Sequence, residues 1–288
     1  MITILGKTEI SNIQPPFRNF GAFTHLIKGC LGAGILAMPK AFSHSGWVFG
    51  TVATLVTGIC TTYCINMLIW SLVAEMKRNR LPLMTYSEAC ESAFNSGPKY
   101  AKKTSRCAKH SADVFLCIQL LGICAVYVLF AASNVQEILE YYGYHINFRY
   151  CIVAIWPVLI LMSLIKTLKF LAPMSLVANI LIILGMLIIY YNFFETMHSL
   201  DERPMIQKDW IRIPLFFGIV VFSLEGIGVV VSIENAMQNS RALIHGPCVL
   251  NVAMAIVTIM YLFTGFFGFL RYGNESDDNV SKNLPFNM

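Results

Sequence analysis

Gly29-Cys30-Leu31-Gly32-Ala33-Gly34 and Ser223-Leu224-Glu225-Gly226-Ile227-Gly228 interrupt two otherwise apolar segments near their middles. Glycine is a poor helix former, so a cluster of it at mid-membrane depth invites the helix to unwind. Unwound backbone in a bilayer is tolerated only where protein or a wet cavity satisfies its N–H and C=O groups. A ligand cavity is therefore expected. The same two segments hold the most isolated mid-segment charges, Lys28 and Glu225, and an intramembrane charge marks function by default. Both signals coincide twice, and the pairing implies a path for a solute.

Working outward, the 288 residues are 56% hydrophobic and 13% charged, with a mean hydropathy of +0.62. A soluble domain carries about twice that charge. Charge-free stretches cover 41–74, 114–136, 150–165, 170–194 and 242–270, most of them reaching the ~20 apolar residues of a spanning helix. With the two charge-interrupted segments, 20–39 and 213–236, the chain has seven candidate spans. They are numbered here as segments 1 to 7.

Residues 1–19 are polar and contain no apolar core of a cleavable signal, so segment 1 serves as the targeting signal. Lys and Arg accumulate on the cytoplasmic side of membrane proteins. Thirteen basic residues fall on the side of the N-terminus, eight of them between Lys77 and Lys109, and seven fall on the other. The N-terminus is thus expected in the cytoplasm. This asymmetry accounts for the net charge of +5 and gives no reason to invoke nucleic acid. Two sequons, Asn274-Glu275-Ser276 and Asn279-Val280-Ser281, follow segment 7 on the outer side and are candidate glycosylation sites. Most of the nine cysteines lie in or beside the spans, so no disulfide framework follows.

The expected organisation is a cytoplasmic tail over 1–19, a first five-helix repeat over 20–194 with a cytoplasmic loop at 75–110, and an outer loop over 195–212. Segments 6 and 7 over 213–270 open a second repeat, and 271–288 form an outer tail. Within the cytoplasmic loop, Thr85-Tyr86-Ser87-Glu88 has the capping pattern of a helix start. A short surface helix to about Phe94 is expected, stopped by Asn95-Ser96-Gly97-Pro98. Trp210 in the outer loop stands where an interfacial aromatic anchor belongs.

Segment 1 runs outward and segment 6 inward, so the two breaks are antiparallel. Interrupted segments at corresponding places of two halves are the best sequence pointer to inverted repeats. A second repeat would need segments 6 to 10, yet the sequence stops after segment 7, which reads as a truncated chain.

A zwitterion needs donors for its carboxylate and acceptors for its ammonium, and a broken helix offers both at one place. Gly29, Cys30, Gly32, Ala33 and Gly34 from segment 1 and Phe222, Ser223 and Gly226 from segment 6 are the candidate substrate-binding residues. Small residues spaced by three or four also let neighbouring helices touch. That competing reading weakens once both breaks are counted. His25, one turn before Gly29, is placed to exchange protons at physiological pH, although a lone His in an apolar helix is more often a packing residue. Glu225 reads as a proton carrier, as a partner for an ammonium, or as a group bonded to unwound backbone. Lys28 is its candidate partner, because either charge buried alone is expensive. Tyr127 and Asn134, a little under two turns apart on segment 3, are further candidates for the cavity wall. The sequence offers no metal-ligand cluster, nucleotide loop or nucleophile-base set, so an enzyme is poorly supported and no cofactor is expected.

The run His25-Leu26-Ile27-Lys28-Gly29-Cys30-Leu31-Gly32-Ala33-Gly34-Ile35-Leu36-Ala37-Met38-Pro39 resembles helix 1 of the proton-coupled amino acid transporters, within the amino acid/auxin permease family. Phe216-Phe217-Gly218, Phe222-Ser223-Leu224-Glu225-Gly226-Ile227-Gly228 and Glu234-Asn235 resemble their helix 6, and Val126-Tyr127, Asn134 and Asn283-Leu284-Pro285 are further shared landmarks. The resemblance implies an all-α, LeuT-like inverted-repeat fold, here incomplete, with seven transmembrane helices. It implies alternating access driven by a proton gradient, small neutral amino acids as substrates, and His25 as the proton-coupling histidine. Cys30 and Leu224 depart from the Asn and Phe usual at those places. Phe286-Asn287-Met288 stands where the family's external disulfide would need a cysteine.

The leading expectation is symport of protons and small neutral amino acids in the plasma membrane or a lysosomal or endosomal membrane, by a partial chain. The alternative is a non-transporting short form that binds and modulates a full-length homologous transporter. A seven-helix receptor stands third, since it reverses the charge bias.

Overall fold

The structure, a computed structural model, describes residues 23–283 apart from 24–25, 28, 33, 81–83, 164–167, 196–199, 201–202, 208, 227–229 and 232–248, and omits the side chains of 162–176 and 178–179. Among the described residues all regular structure is helical. The helices are α1 Gly34–Ser45, α2 Trp47–Asn79, α3 Tyr86–Asn95, α4 Lys99–Lys103, α5 Ser105–Tyr141, α6 Phe148–Ser163, α7 Leu168–Glu195, α8 Ile213–Leu224 and α9 Val249–Tyr272. α2, α5, and α9 with its adjoining 3-10 turn are long and apolar enough to cross a membrane, while α6, α7 and α8 contain shorter apolar stretches. The protein is an all-α integral membrane protein.

The sequence ends segment 1 at Pro39, but α1 continues to Ser45. A proline one turn into a helix removes a single i to i−4 hydrogen bond, and the Pro39 ring finds room against Gly268 of α9, where a Cβ would collide with it. The chain turns instead at Gly46, whose φ of 85° is left-handed and favours glycine. The charge-free run 41–74 therefore belongs to two helices.

α1, α2, α8 and α9 share one core with part of α7. At its centre Phe42 is fully buried, meeting the Phe216 ring edge-on at 6.4 Å. Glycines admit it: a Cβ at Gly50 or Gly265 would lie 2.9 or 2.5 Å from the Phe42 ring. Gly58 of α2 receives Thr258 of α9 in the same way, with a Cβ 2.5 Å from Thr258 Cγ2. Close backbone approach is the means by which helices associate in lipid, where burial alone supplies no drive. α7 joins through the Tyr190 and Thr264 hydroxyls, 2.9 Å apart, and through Tyr272 Oη, which donates to Asn192 Oδ1 at 2.6 Å. Phe115 and Leu121 on α5 are 69% and 71% exposed.

The expected capping box forms: Glu88 N donates to Thr85 Oγ1 at 3.3 Å and Thr85 N to Glu88 Oε2 at 2.9 Å. The helix it starts, α3, ends at Asn95. It bridges two long helices. Ser92 Oγ donates to Glu75 at the end of α2, and Lys109 of α5 pairs with Glu91 at 2.9 Å. Leu72, Met84 and Ala89 make a small second core there, with Val231 against it.

At the other end of the bundle, the loop before α8 straps the corner between α1 and α2. Gln207 N and Nε2 donate to Ser45 O and Ser43 O at 3.0 and 3.2 Å. Trp47 N and Val48 N donate to Pro204 O and Met205 O at 3.3 and 3.1 Å. Arg203 Nε and Nη2 donate to Leu270 O and Arg271 O, closing α9. These bonds satisfy backbone groups that every helix end leaves over.

Candidate functional site

Both glycine clusters break their helices. In segment 1 the helical run includes Cys30, Leu31 and Gly32 are non-helical, and α1 begins at Gly34. Leu31 N makes the last regular bond, to Ile27 O at 2.7 Å. In segment 6, α8 stops at Leu224 and Glu225 is extended, with φ −68° and ψ 130°. The helix restarts as Val230 N donates to Gly226 O at 2.9 Å.

The breaks meet. Ser223 Oγ donates to Gly34 O at 3.2 Å, and a Cβ at Gly34 would lie 2.5 Å from that hydroxyl oxygen. A Cβ at Gly226 would lie 2.7 Å from Cys30 Sγ. The two segments thus meet beside their breaks, with Ser223 4% and Cys30 2% exposed. Only glycine permits the approach at Gly34 and Gly226. Tyr127 joins from α5: a Cβ at Gly32 would be 3.2 Å from Tyr127 Oη. The side chain of Glu225 is partly buried beside the crossing and Gly226 is buried in it, whereas Phe222 is half-buried and Gly29 is exposed.

The structure therefore brings together Cys30, Gly32, Gly34, Ser223, Gly226 and Tyr127. His25, Lys28 and Ala33 lie outside the described residues, as do Ile227 and Gly228. Asn134 does not share the site with Tyr127. Its Oδ1 accepts from Asn279 Nδ2 at 3.0 Å, so it holds the segment after α9. The two sequons differ accordingly: Asn274 is exposed, while Asn279 is 4% exposed with its amide engaged.

Sequence reasoning missed Tyr261. Fully buried on α9, it donates from Oη to Cys30 O at 2.8 Å. Met254, two turns earlier, has its sulfur 4.0 Å from Cys30 Sγ. A tyrosine in an apolar helix carries no local signal of such a role. Chemically, the crossing gathers backbone N–H and C=O groups, the Ser223 hydroxyl and the Tyr261 phenol among buried apolar side chains.

The family model described as transmembrane amino acid transporter protein matches residues 18–288. The chain is 37% identical over 263 residues to the proton-coupled amino acid transporter-like protein pathetic of Drosophila melanogaster, covering 91% of this chain and 55% of that protein. It is 26% identical over 267 residues to amino acid transporter ANT1 of Arabidopsis thaliana, covering 91% of this chain and 59% of that one. The chain thus spans little more than half the length of the curated relatives it matches. No solved structure matches.

Proposed function

This chain belongs to the transmembrane amino acid transporter protein family, one of transporters rather than enzymes, and from that premise we propose that it carries the substrate site of a proton and amino acid symporter. The substrate is a small neutral amino acid, bound where the breaks at Leu31-Gly32 and Glu225-Gly226 come together. Its carboxylate takes N–H groups at the start of α1, and its ammonium takes backbone carbonyls at the breaks, as helix ends favour. The observation that carries this reading is the contact of Gly34 with Ser223 and of Gly226 with Cys30. It brings the two interrupted segments into contact directly beside their breaks.

His25 exchanges the coupling proton and Glu225 tunes it, paired with Lys28. Segments 1 to 5 form one repeat with the N-terminus in the cytoplasm, and segment 6 begins its inverted counterpart. Support for this arrangement comes from the charge bias and from the antiparallel order of the two breaks.

The test is alanine or proline uptake into proteoliposomes holding this chain, under an imposed inward proton gradient. Uptake that collapses with the gradient and with His25→Ala supports the proposal. No uptake despite stable insertion overturns it for this chain and favours the modulating short form.

A further inference from the structure

We propose that Tyr261 is the positioning residue of this site: its hydroxyl pins the last helical carbonyl of segment 1, keeping the break in the shape that presents its backbone to the substrate. The inference rests on the transport reading above and deepens it with a residue that reading does not use.

In an unbroken helix Cys30 O would accept from the N–H four residues on, that of Gly34. Here Gly34 opens α1, and among the described residues the carbonyl accepts from Gly32 N at 3.1 Å and Tyr261 Oη at 2.8 Å. The first closes a γ-turn across one residue. The second is a well-formed bond from a fully buried phenol, so it is the bond that fixes the direction of the carbonyl.

The helix that supplies it also holds the other side of the break. Gly265, one turn beyond Tyr261, receives Phe42, and Gly268 receives Pro39, both from α1. α9 therefore clamps both halves of segment 1: the outer half by packing, the inner half by packing and by the Tyr261 hydroxyl. Met254 on the same helix lies against Cys30 Sγ, and Gly226 closes on that sulfur from segment 6. Release of the carbonyl frees Cys30 to rotate away from both. A tyrosine serving only as core filler would need its ring and not its hydroxyl.

Tyr261→Phe separates the two roles, because it keeps the ring and deletes the donor. The probe is N-ethylmaleimide acting on Cys30 in membranes, in a chain whose other eight cysteines are replaced. Alkylation of Cys30 in the Phe variant is expected to run about tenfold faster, the population change that goes with one buried hydrogen bond. In transport, KM for alanine is expected to rise by about the same factor with the maximal rate little changed.

Thr258→Val is the control, since it removes a buried hydroxyl of the same helix that bonds its own backbone, Met254 O at 2.8 Å. It is expected to leave the labelling rate unchanged. Equal rates in parent and Tyr261→Phe overturn the proposal, as does an equal acceleration by Thr258→Val. If the parent transports nothing, the symport reading falls while the labelling comparison still decides the role of Tyr261.

Discussion

Replacing Gly226 by alanine is predicted to force the two broken helices apart, and the structure says what should restore them. The added Cβ would lie 2.7 Å from Cys30 Sγ, while the next atom, Val230 Cγ2, stands off at 4.0 Å. An ordinary carbon to sulfur contact is roughly an ångström longer, so one side must move. Overpacking of this kind costs about 1–3 kcal/mol. Cys30→Ala alone removes one buried atom and leaves a small gap, worth about 1 kcal/mol. In the double variant the new methyl occupies part of that gap and meets no sulfur. Its loss should therefore fall short of the sum of the singles by about 1–2 kcal/mol, within the range found for residues in contact. The assay is the apparent melting temperature of the purified chain in detergent for all four members of the cycle. The double variant should melt above Gly226→Ala alone. Additive losses would show that Gly226 and Cys30 do not touch and would refute the crossing.

Three further outcomes follow from the geometry. Gly268→Leu should lower membrane yield and melting temperature by an overpacking cost of about 1–3 kcal/mol or more, because Pro39 fills the space; a melting temperature equal to the parent's contradicts the α1 to α9 contact. Expressed in eukaryotic cells, the chain should lose a deglycosylation-sensitive gel shift with Asn274→Gln and keep it with Asn279→Gln, since only Asn274 is exposed; loss with Asn279→Gln alone reverses the assignment. Burial holds the Cys90 thiol above its ordinary range, and the thiolate is the nucleophile, so raising the pH through that range should speed Cys90 alkylation late. At neutral pH the exposed Cys107 should react first, and a faster Cys90 would contradict its burial on α3.

The breaks were legible because glycine clusters inside apolar runs have few uses, and the α3 start was legible because a capping box is written in consecutive residues. Pro39 misled for a physical reason. Its cost depends on whether a neighbour makes room, and Gly268 lies 229 positions away in sequence. Asn134 misled similarly: two polar residues on one apolar helix suggest one cavity, but the partner Asn279 comes from beyond α9. Tyr261 and the strap at 203–207 were invisible, because what they satisfy is backbone, which looks the same at every residue. What sequence alone conveyed about the site was its backbone geometry. The side chains that hold that geometry became evident only through contacts.

The strap has a practical consequence. Because Arg203, Pro204, Met205 and Gln207 bond to the ends of α1, α2 and α9, this stretch of the loop is mechanically part of those helices. Met205 and Ile206 nevertheless project into solvent, 61% and 56% exposed. A spin label or fluorophore placed there would ride with the helices and not with a slack tether. Paired with a second probe near Arg149, which is exposed at the start of α6, it would read movement of α6 against α1, α2 and α9 as a change in distance. Such movement could then be followed in real time without touching the crossing.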